Sequence, residues 1–210
     1  MEFIKQPMEI EIKSMEIIAP YLKKYHLTEE EIKVYSRIIH AAGDPEYASV
    51  IRMHPEAVSA AKTALRQGCN IYTDVEMVRT GINKRKLASF GGTVECLIAD
   101  PAVADLAKSQ GMTRSMAAMR TFGKKLDGAI VAIGNAPTAL YEVLRLIEEE
   151  NIRPALIVGI PVGFVGAADS KAVLAEKAPV PFITVEGTKG GSPIAAAVIN
   201  ACMYILDNNR

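Results

Sequence analysis

From residue 69 onward, short apolar runs rich in β-branched residues alternate with segments of helical period. The runs are 70–75 (NIYTDV), 93–98 (TVECLI), 128–133 (GAIVAI), 154–160 (PALIVGI) and 180–185 (VPFITV). Between or after them, 101–109, 113–124, 137–150, 170–176 and 192–207 read as helices. Strand and helix succeeding each other at this spacing predict a parallel sheet covered on both faces. The expected fold is α/β: a mainly parallel, roughly five-stranded Rossmann-like sheet with helices on both faces and a helical N-terminal region. All 210 residues are expected in one domain, with a helical part at about 1–68 and an α/β part at about 69–210.

The N-terminal part has its own punctuation. Met8 to Leu22 carries apolar residues at near-helical spacing. Thr28 with Glu31 three residues later is a capping-box signal. Gly43 suits the position after a helix, and Asp44-Pro45 stops it. A further helix is expected to start at His54-Pro55, run to about Arg66 and end at Gly68.

Composition removes several classes of function. Lys and Arg number 24, as do Asp and Glu, so the net charge is zero. That argues against a broad basic surface for nucleic acid. The three cysteines, Cys69, Cys96 and Cys202, are far apart and follow no metal-ligand spacing. They are expected to be buried free thiols, and no metal is expected. The opening MEFIKQPMEIEIK lacks the apolar stretch of a signal peptide. The longest apolar run, 154–168, is too short for a bilayer and is broken by Pro and Gly. The expectation is a cytoplasmic protein without membrane or nucleic-acid partners.

In open α/β sheets ligands lie beyond the carboxyl ends of the strands. The residues to inspect are therefore Asp74 to Gly81, Gly134 to Thr138, Pro161 to Gly166 and Gly187 to Pro193. GTKGGSPIAAA combines glycines, Lys189 and a helix start with Ser192, a combination suited to anions. It is not a phosphate-binding P-loop, because Lys189 precedes the glycine pair. A carboxylate or phosphate site, a nucleotide site and a plain tight turn all remain open there. Asp74 either orients a donor in the site or caps the next turn.

No nucleophile–base arrangement can be read from the sequence. Of the three histidines, His26 lies in a polar, Lys-rich stretch and His54 precedes a proline. His40 falls in the last turn of a predicted helix whose apolar stripe is Ile32, Tyr35 and Ile39. It shares a different face with Ser36 and Arg37. A cation at a helix C-terminus and a catalytic acid both fit that position.

SRIIHAAGD, IYTDVEMVRTGI, MTRSMAAM, GAIVAIGNAPTAL, PALIVGIPVGFVGAADSK and GTKGGSPIAAAVINA occur in this order over roughly residues 8–205. As an ordered set they resemble the precorrin-8X methylmutase family, also called cobalt-precorrin-8 methylmutases. The resemblance implies an isomerase of corrin (cobalamin) biosynthesis that moves a methyl group from C-11 to C-12 of the macrocycle. The product would be hydrogenobyrinate or cobyrinate. No organic cofactor is implied; the step requires a proton or strong hydrogen bond at a ring nitrogen. By resemblance His40 is the proton donor and acceptor, and Ser14 and Arg37 contact the tetrapyrrole-derived substrate. Arg114 is a candidate carboxylate partner. Asn135, Lys189, Ser192 and Asp74 are further candidates from their places beyond strand ends. A homodimer with active sites near the subunit interface is implied as well. Two rivals stand beside this reading: a corrin carrier without catalysis, and a Rossmann-like enzyme acting on a phosphate-bearing ligand.

Overall fold

The structure is a computed structural model that describes residues 3–207. The chain opens with α1 (Pro7–Leu22) and α2 (Glu29–Ala42). The capping box of α2 is complete: the Glu31 N–H donates to Thr28 Oγ1, and the Thr28 N–H donates to Glu31 Oε2. Gly43, at φ 64°, ends the helix in the left-handed region, where glycine carries no Cβ penalty. There follow α3 (Tyr47–Val50), β1 (Ile51–Met53), α4 (Ala57–Arg66), β2 (Ile71–Thr73), α5 (Glu76–Gly81), α6 (Lys84–Ser89) and β3 (Val94–Cys96). Next are α7 (Pro101–Ser109), α8 (Arg114–Phe122), β4 (Ile130–Ile133) and α9 (Pro137–Glu150). The chain closes with β5 (Leu156–Gly159), α10 (Ala167–Lys177), β6 (Phe182–Val185) and α11 (Ser192–Leu206).

The sheet has six strands in the order β1-β6-β5-β4-β2-β3. The five expected strands are all present and mutually parallel. The sixth, β1, was not expected; it runs antiparallel to β6 at the sheet edge, with Ile51 opposite Val185. Three further readings need correction. The helix expected to begin at Pro55 begins at Ala57, because the Ala57 N–H closes a turn onto the His54 carbonyl. Two short helices, α5 and α6, occupy the stretch between the first two expected strands. Ile32 is 39% exposed, and the buried stripe of α2 is Val34, Tyr35, Ile38 and Ile39.

Side-chain alternation along the strands sorts the core into two layers. Ile130 and Ala132 of β4 face one cluster, with Ile38 and Ile39 of α2, Leu65 of α4 and Val198 of α11. Val131 and Ile133 face the other, with Met119 of α8 and Leu140 and Val143 of α9. Helix α11 lies against the sheet and α2 lies against α11, so α11 is apolar nearly all round. Fully burying Ile38 or Ile39 is worth about 1.5–3 kcal/mol each, which pins α2, and with it His40, to the sheet's first layer. No helix among the described residues is long and apolar enough to cross a membrane.

Candidate active site

Strand order reverses between β2 and β4, so the crevice of an open α/β sheet should open beyond Thr73 and Ile133. Here the protein fills that crevice itself. Asp74 is fully buried, and its carboxylate accepts from three backbone N–H groups: Gly134 at 3.0 Å, Asn135 at 2.9 Å and Ala136 at 2.7 Å. These donors lead directly into α9, so Asp74 occupies the anion position at that helix's N-terminus. Burial pushes its pKa up, against the pull of the three N–H groups, which all favour the carboxylate. A side chain at Gly134 would stand 2.7 Å from both Ser192 Cα and Val78 Cγ2, so α5 and α11 close the crevice from the other side.

Gly190 and Gly191, at φ 156° and 126°, turn the chain from β6 into α11. A side chain at Gly190 would meet the Ile160 and Pro161 carbonyl oxygens at 2.7 Å, so only glycine lets the two loops stack. Lys189 projects from this turn with its side chain 41% exposed. Its ammonium lies 2.6 Å from Asp44 and 3.1 Å from Glu46. The Asp44 and Glu46 carboxylates raise the Lys189 pKa, and Lys189 holds that of Asp44 down. Ser192, 5% exposed, begins α11, and its buried hydroxyl has no hydrogen-bond partner among the described residues.

The Lys189–Asp44 pair ties this turn to the end of α2, where His40 stands one helical turn before Asp44. The His40 side chain is exposed and makes no hydrogen bond or ion pair among the described residues. One turn earlier on the same face is Arg37, ion-paired to Glu11 of α1 and 5.7 Å over the Tyr204 ring. A cavity of about 300 Å3 opens beside them, lined by Glu11, Met15, Ser36, Arg37, Tyr204 and Ile205. Ser14, one turn along α1 from Glu11, is half-buried and donates to the Ile10 carbonyl at 2.8 Å.

Two candidates belong to the opposite layer. Arg114, exposed, is the first residue of α8. Its neighbour Thr113 shares a 2.7 Å hydrogen bond with Thr138 of α9. Asn135 has an exposed side chain and gives its backbone N–H to Asp74. Arg37 and His40 thus share one face of α2, with Ser14 a turn from Arg37's partner Glu11 and Lys189 paired to Asp44 just past that helix. Ser192 packs instead against Gly134, next to Asn135 and the buried Asp74, and Arg114 stands apart on α8.

Sequence reasoning missed Glu11, Glu46, Tyr204 and Lys171, and read Asp44 only as a helix stop. Their partners are remote in the chain, so spacing carries no signal for them; Lys171 alone lies in a quoted motif. The three cysteines are free thiols, with Cys202 buried and the other two half-buried. Burial pushes Cys69 up to about 11 and Cys202 to about 12, so neither ionises near neutrality.

Comparison with known proteins gives the arrangement a context. The precorrin-8X methylmutase family model matches residues 9–205. A cobalt-precorrin-8 methylmutase of Priestia megaterium is 43% identical over 97% of this chain and 90% of its own. A precorrin-8X methylmutase of a Sinorhizobium species is 40% identical, covering 95% of each chain. The solved structure of the precorrin-8X methylmutase from Thermus thermophilus superimposes with a TM-score of 0.85 at 37% identity, over 95% of this chain and 98% of that one. With nearly the whole length matched in sequence and in fold, the chain belongs to the precorrin-8X methylmutase family.

Proposed function

We propose that this protein is an isomerase that moves the C-11 methyl group of precorrin-8X, or of its cobalt form, to C-12 in cobalamin biosynthesis. The observation that carries the reading is the family match over residues 9–205. His40 acts as the proton donor and acceptor at a ring nitrogen. An imidazole suits the task because its pKa lies near the working pH. In this structure His40 stands one turn from Arg37 and one turn from the Lys189–Asp44 pair. A plate ringed by carboxylates fits a proton donor flanked by two cations. Both cations are already neutralised by the chain's own carboxylates, Glu11 on Arg37 and Asp44 with Glu46 on Lys189. Substrate carboxylates take over these partners, so each contact contributes the difference between two anions and not a whole ion pair. Ser14, Ser192, Asn135 and Arg114 complete the rim.

The working unit is a homodimer. Phe164 and Val165, at the tip of the loop after β5, are 96% and 89% exposed, and α1 presents Met8, Ile10, Ile12 and Ile17 to solvent. Large apolar side chains left this exposed are what a second copy would cover. Light scattering should give twice the chain mass of 22.7 kDa; a monomer at assay concentration would remove the shared-site reading.

The function is tested by mixing the protein with precorrin-8X and separately with its cobalt form, following the absorption spectrum and locating the methyl by NMR. Conversion of either establishes the isomerase, and the faster one assigns its branch. Binding without conversion favours a corrin carrier, and no spectral change favours the phosphate-ligand reading. Arg37→Ala should raise KM about tenfold while kcat changes less. A charge-assisted contact is worth about 1.5–3 kcal/mol, and the exchange with Glu11 reduces the net. A fall in kcat at unchanged KM would contradict an anchoring role.

A further inference from the structure

Lys171 is the one fully buried lysine among the described residues, 1% exposed on α10. Its Nζ donates to the Lys189 carbonyl oxygen at 2.6 Å. Burying an ammonium is costly, and an apolar side chain of the same length would fill the space without that cost. The charged groups that share its cavity of about 420 Å3 are Asp169 and Glu176 of α10, Arg52 of β1 and Glu186 after β6. None of these carboxylates pairs with Lys171; Arg52 and Glu186 pair with each other at 2.7 Å. The amine therefore reaches past the local acids to a loop carbonyl.

That carbonyl sits in the turn before α11. The Gly163 N–H donates to Thr188 O at 3.2 Å and the Gly191 N–H to Ile160 O at 3.0 Å, fastening the turn to the loop after β5. These bonds leave the Lys189 peptide itself to be held, and Lys171 holds it. We propose that Lys171 is a positioning residue for substrate binding: its buried amine fixes the Lys189 carbonyl, and so the direction in which the Lys189 side chain and the Ser192 turn face the macrocycle. The proposal rests on the reading above that this turn receives substrate carboxylates. It names a residue that touches neither the substrate nor the reacting atoms. Burial lowers the Lys171 pKa to about 8, so the ammonium loses its charge within an accessible range. A charge-assisted bond to a carbonyl weakens when the donor becomes neutral.

The test uses spectral titration with hydrogenobyrinate, together with kcat on precorrin-8X, for the wild type, Lys171→Met and Lys189→Ala. Lys171→Met keeps the unbranched stem as far as the ε position and removes the donor. At pH 7 it should weaken binding about tenfold and leave kcat within about threefold. Between pH 7 and 9.5 the wild-type Kd should climb toward that of Lys171→Met, closing the gap. Equal affinities at pH 7, or a gap that ignores pH, overturn the proposal. Should Lys171→Met not fold, the wild-type profile decides: a flat Kd through pH 8 overturns it as well. Lys189→Ala separates the two readings. An unchanged affinity there sinks the carboxylate role of the turn, whereas a loss there with none in Lys171→Met removes Lys171 alone.

Discussion

Replacing His40 with alanine should abolish methyl migration, lowering turnover about 10³-fold or more, while hydrogenobyrinate should still bind. A positioned proton donor contributes about 10²–10⁴-fold, and the two cations proposed beside it, Arg37 and Lys189, are not proton donors of that kind. A guanidinium does not give up its proton in proteins, and Asp44 and Glu46 raise the pKa of Lys189. Binding should survive because the proposed anchors of the carboxylate rim are those two cations, not the imidazole. Folding survives as well. The His40 ring is exposed and unengaged among the described residues. Its loss removes a side chain that no other element packs against or bonds among those residues. The measurement is kcat by NMR-verified conversion, paired with a spectral Kd and a melting curve. A variant with near-normal kcat would remove His40 as the acid, and one that neither binds nor turns over would make it an anchor.

What could be read from the sequence divides along chain distance. The capping box of Thr28 and Glu31, the Gly43 stop and the shared face of Arg37 and His40 are all fixed within four residues or one or two turns. Local spacing is enough for them. The five parallel strands were legible because burial on both faces makes each a continuous apolar run. β1 was not, since a three-residue edge strand, Ile51–Met53, needs no period and takes its register from β6. The helices α5 and α6 were hidden by their shortness and by polar composition, NKRK among it. At the site, chain distance decides again. Glu11 meets Arg37 across 26 residues and Asp44 meets Lys189 across 145. The sequence therefore displayed both cations as free, whereas the fold presents them already paired.

Asp74→Ala should cost about 3–5 kcal/mol of stability, a large share of the 5–15 kcal/mol that holds a typical domain. The reason is the count of donors. The N–H groups of Gly134, Asn135 and Ala136 all end on this one carboxylate, whose side chain is fully buried. Each orphaned buried donor costs about 1–3 kcal/mol, and release of the buried carboxylate offsets part of the sum. Urea unfolding should show the midpoint falling at an unchanged slope. Activity should fall with it, because the same three residues set the Gly134 backbone against which Ser192 packs. Asp74→Asn then asks which form of the acid does the holding. An amide offers one acceptor oxygen and turns an N–H₂ toward a ring of donors, so against an ionised clamp it should be no milder than alanine. Burial pulls the other way, toward the neutral acid, which asparagine mimics in shape and charge. If the asparagine variant unfolds near the wild-type midpoint, Asp74 joins β2 to α9 as a protonated acid. If it falls with alanine, the clamp is a carboxylate, and the protein has used its own anion to close the crevice where an open α/β sheet would otherwise take a ligand's.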